Sequence, residues 1–338
     1  MNQKKQNPLK KLLSIKGMGG ALTAFVGLII IYIAFGIINP NVFSGQNVMN
    51  LLRSMSKYLI IGIGQSYVLI TGNIDLSIGS VVGMSSMITA TLMAMGVNPL
   101  VAILISLCCC MAIGVINGFL VGKCQLPPFI ATLGTMFVAR GIAYMVNGNR
   151  NTDAIASGIG KESAETFQNV FYYGQTAGVY NTFWIAIILF IVFFFLLSKT
   201  RTGRHIYAIG SNVDAAKLSG VNVVATVTKT YLVSAFCSFV VGLILCGQAS
   251  MGNMEAGNMY EMYAVAAGVI GGISPLGGTG ILLGTLAGSA VWQTLENGLN
   301  MIGAQVGIQR LVIGIIVVCA VLLDVVVRNG VFKKKATS

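Results

Sequence analysis

The residues able to do chemistry are few, and their spacing excludes most enzymes. The chain has one histidine, His205, and nine acidic residues, so an HExxH zinc site cannot be built. No CxxC pair occurs, and Cys108, Cys109 and Cys110 are consecutive in an apolar run, which reads as small packing residues and not a disulfide or zinc framework. A phosphate-binding GxxxxGK[ST] loop is missing: the Gly-Lys pairs Gly122-Lys123 and Gly160-Lys161 are followed by Cys124 and Glu162. No GxSxG elbow lies near a span end, so nothing argues for a hydrolase. Four ionisable residues interrupt or adjoin apolar stretches: Asp75, Arg140, Glu261 and Glu296. Asp75, just before Leu76-Ser77-Ile78, reads as a helix N-cap, and Glu261 begins a short span in the same way. Arg140 and Glu296 could form a buried pair or line an aqueous path, and simple interhelical glue is the favoured role. Four scattered charges do not make the proton relay of an ion-coupled carrier.

The elements that must position these residues are membrane helices. Of 338 residues 55% are hydrophobic and only 9% are charged, where a soluble domain carries roughly 25% charge. Such a chain can neither cover a water-soluble surface nor stay disordered. The reading is an all-α, polytopic membrane protein, one transmembrane domain over 1–338 with about ten spans. The apolar segments are 21–38, 58–72, 78–96, 100–122, 128–147, 181–199, 226–248, 261–274, 279–300 and 308–327. The second and eighth look short, as tilted or broken helices would. An even count puts the basic N-terminus 1–20, the loop 200–225 and the basic tail 328–338 on one side. That side collects most of the 21 Lys and Arg residues and is therefore expected to be cytoplasmic. The net charge of +12 is explained by this bias and calls for no nucleic acid. The first span is long and lacks a small-residue cleavage site, so it reads as retained and not as a signal peptide.

Glycine is abundant, 42 residues. GxxxG spacing recurs at Gly79/Gly83, Gly114/Gly118/Gly122, Gly268/Gly272 and Gly280/Gly284/Gly288, which lets helix backbones approach in lipid. Gly72-Asn-Ile-Asp-Leu-Ser-Ile-Gly79 echoes Gly272-Ile-Ser-Pro-Leu-Gly-Gly-Thr-Gly280. Repeated glycine turns of this kind can mark interrupted helices of a transport path. The expected structural turns and caps are Asp75, Gly271, Gly272, Gly277 and Gly278.

The stretch 199–221 is the most distinctive soluble piece. Ser211, Asn212 or Asp214 can cap a helix and Gly220 can end it. The helix between is about two turns long, presents Ala215, Ala216 and Leu218, and is too short to be stable alone. It needs a docking surface, and a cytoplasmic partner protein suits it better than lipid headgroups.

With those segments in view, the chain resembles the permease subunits of the ribose/simple-sugar class of ABC importers, within the branched-chain-amino-acid/ribose permease family. The matching stretches are TGNIDLSIGS at 71–80, LPPFIATLGTM at 126–136, TRTGRHIYAIGSNVDAAKLSGVNV at 200–223, GNMYEMYAVAAGVIGGISPLGGTG at 257–280 and NGLNMIG at 297–303. They stand in the family's order, and the third is the most specific. Tyr263 departs from an acidic residue usual there, and Pro275-Leu276 departs in the GGxS segment.

The resemblance implies a type II ABC importer-like bundle in the bacterial cytoplasmic membrane that carries a monosaccharide. It implies a second permease copy, as homodimer or with a paralogue, with the substrate path along their interface. ATP and Mg would be bound by a separate cytoplasmic ATPase, and an extracytoplasmic sugar-binding protein would dock on the outer loop 148–180 and the turn 250–258. The coupling element would comprise Gly203, Arg204, Gly210, Asn212, Asp214, Ala215, Ala216, Lys217, Leu218, Ser219 and Gly220. A weakly polar path through Ser66, Thr71, Ser85, Ser86, Thr132 and Thr135 is expected from position. The alternative is an ion-coupled secondary sugar carrier acting alone.

Overall fold

A computed structural model describes residues 18–328; most of the expected cytoplasmic ends, 1–20 and 328–338, lies outside the described residues. The helices are α1 (Met18–Ile38), α2 (Gly45–Ile70), α3 (Ile78–Ala94), α4 (Pro99–Gly122), α5 (Pro128–Met145), α6 (Ala156–Ile159), α7 (Lys161–Gln168), α8 (Asn181–Lys199), α9 (Arg201–Ser211), α10 (Val213–Leu218), α11 (Val223–Ala249), α12 (Tyr260–Ile270), α13 (Leu282–Met301) and α14 (Val306–Arg328). Each of the ten apolar segments coincides with one of them.

Among the described residues five helices, α1, α4, α5, α8 and α11, are long and apolar enough to cross a membrane. The first four turn large apolar side chains outward, such as Ile37 at 76% exposure on α1 and Leu100 at 71% on α4, an outer surface suited to lipid and not to water. Inside this ring sit α2, α3, α11, α12 and α13, whose side chains form the core.

The second segment is not short. It begins 13 residues before the expected position 58 and runs 26 residues, Gly45–Ile70. Arg53 and Lys57 break its apolar pattern, but both are accommodated. The Arg53 guanidinium lies over the rings of Tyr172 and Tyr180, at 4.6 and 4.1 Å, and Lys57 Nζ donates to Gln248 Oε1 at 3.2 Å. The eighth segment is short as expected. α12 has 11 residues, about 16 Å at 1.5 Å per residue, roughly half the hydrocarbon thickness.

Glycine spacing sets close helix pairs, Gly284 and Gly288 bringing α13 against α12 at Gly271 and Ala267. Gly114, Gly118 and Gly122 place α4 against α11, and a Cβ at Gly118 would lie 2.5 Å from Thr228 Cα. The segment 148–180, expected as a polar loop, is ordered into α6, α7, a π-helical turn at Asn169–Tyr173 and an antiparallel hairpin, β1 (Gln175–Thr176) and β2 (Val179–Tyr180). Ala177 and Gly178 both take positive φ, as a two-residue hairpin turn of the right twist requires.

Candidate coupling interface

The segment between α8 and α11 folds into a knob seated on two glycine turns. Thr200 caps α9, its hydroxyl accepting from Gly203 N at 3.3 Å. α9 is amphipathic: Ile206 and Ile209 are buried, while Arg201 and Arg204 face out. Asn212 then serves two helices. Its N–H donates to Ala208 O at 3.0 Å to end α9, and its Oδ1 accepts from Ala215 N at 2.8 Å to start α10. Gly220, at φ +81°, closes α10. Gly220 N donates to Lys217 O and Val221 N to Ala216 O, both at 3.0 Å, the paired bonds of a left-handed helix C-cap. Asn222 caps α11 through Ala225 N at 2.9 Å.

The seat is made by the ends of α2 and α12. Both stop with the same geometry. Gly72 N donates to Leu69 O and Asn73 N to Val68 O; Gly272 N donates to Val269 O and Ile273 N to Gly268 O. Gly72 and Gly272 both have positive φ. The two turns meet, with Gly278 N donating to Ile70 O at 2.8 Å. α9 rests on that junction. A Cβ at Gly210 would lie 1.8 Å from Ile70 O and 2.5 Å from Gly278 N, so no side chain fits there. Gly277 likewise approaches Gly72, and Gly271 abuts Gly284 O on α13. Tyr207 Oη donates to Gly280 O at 2.7 Å, and burial pushes its phenol up to about 12, so it keeps this proton throughout the physiological range.

Of the three residues α10 was expected to present, Ala215 and Leu218 are exposed and Ala216 is not. Ala216 is 4% exposed and points into the chain, whereas Leu218 is 90% exposed. Asp214, Ala215, Lys217, Ser219 and Gly220 are also exposed, with Val213 beside them. A 90% exposed leucine on a two-turn helix, held by caps and a rigid seat, is a protruding apolar plug flanked by charge.

The chain was compared with known proteins. A family model described as "Branched-chain amino acid transport system / permease component" matches residues 47–321. The chain belongs to this family. The permease is 36% identical to the ribose import permease protein RbsC of Bacillus subtilis over 315 residues, covering 93% of this chain and 96% of that protein. It is 32% identical to the D-allose transport system permease protein AlsC of Escherichia coli, covering 89% and 90%. It is also 32% identical to the galactose/methyl galactoside import permease protein MglC of Haemophilus influenzae, covering 87% and 92%. No solved structure matches.

Asp75 of the permease is not the N-cap of α3; Ser77 holds that position and makes no side-chain cap bond. Asp75 instead closes an Asx turn, its Oδ1 accepting from Ser77 N at 2.9 Å and Ser77 Oγ at 2.6 Å, while Oδ2 accepts from Ser234 Oγ of α11 at 2.7 Å. It ties the 71–77 turn to α11. Asp75→Ala leaves these buried donors unpaired and is expected to cost about 3 kcal/mol. Asp75→Asn keeps Oδ1 as the acceptor for Ser77 and can donate from Nδ2 to Ser234 Oγ once that hydroxyl turns, and should recover most of the loss. Thermal unfolding of the detergent-solubilised variants checks both.

Arg140 and Glu296 do not meet. Arg140 Nη1 donates to Met254 O at 2.7 Å and Ala256 O at 3.0 Å, while Glu296 Oε2 accepts from Tyr58 Oη at 2.9 Å. Arg140 therefore clamps the 250–259 turn, helped by Tyr144 bonding to Glu255. The same turn is bonded to the 148–180 segment through Thr152 N to Gly252 O, Gly252 N to Thr152 Oγ1 and Ile155 N to Ser250 O. The two stretches expected to receive a binding protein thus form one surface.

The six hydroxyl residues expected along a path lie on three helices: Ser66 and Thr71 on and at the end of α2, Ser85 and Ser86 on α3, Thr132 and Thr135 on α5. All six are buried. Ser66 Oγ bonds to Gly62 O and faces Thr285 Oγ1 at 2.7 Å; Thr71 donates to Val68 O and Ser85 to Phe239 O; Thr132 donates to Pro128 O and Thr135 to Asn117 Oδ1. Ser66, Ser85 and Thr135 thus bond from helix to helix, as hydroxyls do to hold helices together in lipid, while Thr71 and Thr132 bond back to their own helices. Ser86 Oγ is buried with no partner.

Proposed function

We propose that this permease is the membrane-spanning subunit of an ATP-driven importer that passes a ribose-like or other simple monosaccharide across the bacterial cytoplasmic membrane. The observation that carries the reading is the α9–α10 knob: it offers exposed Leu218 while being locked to the bundle through Gly210, Gly278 and Tyr207. In this reading α10 is the coupling helix, seated in a groove of a cytoplasmic ATPase that binds ATP and Mg. Ten helices cross or enter the membrane, with both termini cytoplasmic. Two permease copies form the path along their shared interface, and an extracytoplasmic sugar-binding protein delivers substrate to the Arg140-clamped outer surface. Closing of the ATPase pair moves the knobs, the knobs move the ends of α2 and α12, and the population shifts between inward- and outward-open bundles. The sugar relatives at 32–36% identity support the substrate class.

The test is reconstitution in proteoliposomes with the ATPase and binding-protein partners, offering D-ribose, D-allose and D-galactose. Uptake that needs ATP supports the reading. Uptake by the permease alone under a proton or sodium gradient would replace it with an ion-coupled carrier.

A further inference from the structure

α8 and α11 touch where Phe193 faces Phe236, ring centroids 6.2 Å apart. One turn nearer the knob they part, leaving a cavity of about 350 Å³ lined by Tyr67, Leu196, Ile206, Leu232, Val233 and Lys229, among others. Its walls offer little hydrogen bonding. The Tyr67 hydroxyl is already donated to Phe193 O at 2.6 Å and the Thr200 hydroxyl to Leu196 O at 2.5 Å, so besides Lys229 the one further polar side chain on the wall is Thr202. The guest that fits the interior is therefore apolar. The mouth is charged: Lys229 lines it and is exposed. Lys199, Arg201 and Arg204, all exposed, belong to the same end of the bundle, and Asp214 is the sole acid between positions 199 and 229. Leu196 lies one turn from the end of α8 and Lys229 less than two turns into α11, so the mouth sits about 5–10 Å from the helix ends. That is the depth of the boundary between headgroups and acyl chains.

An apolar hole under a basic rim at this depth has the two chemistries of one molecule. We propose that the cavity binds an anionic phospholipid of the cytoplasmic leaflet, an acyl chain entering between α8 and α11 and the phosphate meeting Lys229. The choice of leaflet rests on the proposed function, which puts the knob in the cytoplasm, where anionic headgroups face basic side chains. A zwitterionic lipid fills the hole but matches the rim less well. A soluble phosphate matches the rim and leaves the hole empty. Because Ile206 of α9 forms one wall, the bound chain fixes the knob's first helix against α11 and α2.

The test is native mass spectrometry of the purified, delipidated permease with phosphatidylglycerol and with phosphatidylcholine of the same acyl chains. The wild type is expected to retain phosphatidylglycerol about tenfold better, equivalent to about 1.4 kcal/mol. Lys229→Gln should erase that preference. Val233→Trp, which fills the hole, should lose both lipids while Lys229 is intact. Equal retention of the two lipids by the wild type overturns the proposal, as does full phosphatidylglycerol binding by Val233→Trp. Displacement of the lipid by glycerol phosphate at equal concentration also overturns it, since a soluble anion would then suffice. Labelling of Ser219→Cys in oriented vesicles reads the orientation separately. A knob reached only from outside would sink the proposed function, while the lipid measurement still stands or falls on its own.

Discussion

Leu218→Asp is expected to release the ATPase from the permease by about 30-fold. The side chain is 90% exposed, so the folded chain gains almost nothing from it, and the substitution should leave thermal stability unchanged. In the proposed importer this leucine would be the apolar tip that α10 offers to the ATPase. Burying such an anchor in a partner groove contributes at least about 2 kcal/mol, and about 2 kcal/mol is close to 30-fold in affinity. An aspartate there adds a desolvated charge beside Asp214, which deepens the loss. The measurement is titration of the ATPase onto permease in nanodiscs, with sugar uptake as the second readout. Ala216→Arg makes the contrast. Ala216 points inward, so that variant should lower the melting temperature of the permease itself, without any partner present. If Leu218→Asp binds the ATPase as tightly as wild type, α10 is not the docking element.

Much of the architecture was legible because hydropathy reports helices that face lipid or one another and not water. The ten apolar segments became ten helices for that reason. The start of α2 was hidden because Arg53 and Lys57 look like a span boundary in sequence. Only the folded chain brings Tyr172, Tyr180 and Gln248 to them. The knob's boundaries could be read from Asn212, Gly220 and Asn222, since caps are local chemistry. Its orientation could not. Two turns carry too little periodicity to tell Ala216 from Leu218, and that choice is made by the seat. The role of the path hydroxyls was not legible for the complementary reason: packing and sugar lining use the same residue types, and only the fold shows that Ser66, Ser85 and Thr135 bond across helices, to Thr285, Phe239 and Asn117. Arg140 drew attention as an ionisable residue in a span, but its partners are backbone carbonyls of Met254 and Ala256, which no pairing of charges in sequence could reveal.

The junction under α9 had a faint sequence trace, the like glycine turns at 72 and 272. Their resemblance looked like a repeat. In the fold each ends a helix, α2 and α12, and they are bonded to each other through Gly278 and Ile70. A push on α9 therefore reaches α2 and α12 together, through backbone and not through flexible side chains. That makes the junction stiff, and stiffness is what rigid-body coupling needs.

Gly210→Val should separate seating from docking. The new Cβ would lie 1.8 Å from Ile70 O, and neither the end of α2 nor Gly278 can retreat without breaking the bond between them. α9 must lift instead. Overpacking of this kind costs about 1–3 kcal/mol, and the Tyr207 bond to Gly280 O should be lost with it. α10 keeps its own caps at Asn212 and Gly220, so the ATPase should still bind within about threefold of wild type. Sugar uptake per ATP hydrolysed should nonetheless fall about tenfold or more, because the knob then moves without carrying the helix ends. Copurification of the ATPase together with the ratio of uptake to hydrolysis in proteoliposomes reads both halves. Loss of ATPase binding in parallel with uptake would mean that Gly210 merely shapes the docking surface. Normal coupling would mean that force enters the bundle elsewhere, and the seat beneath α9 would be packing alone.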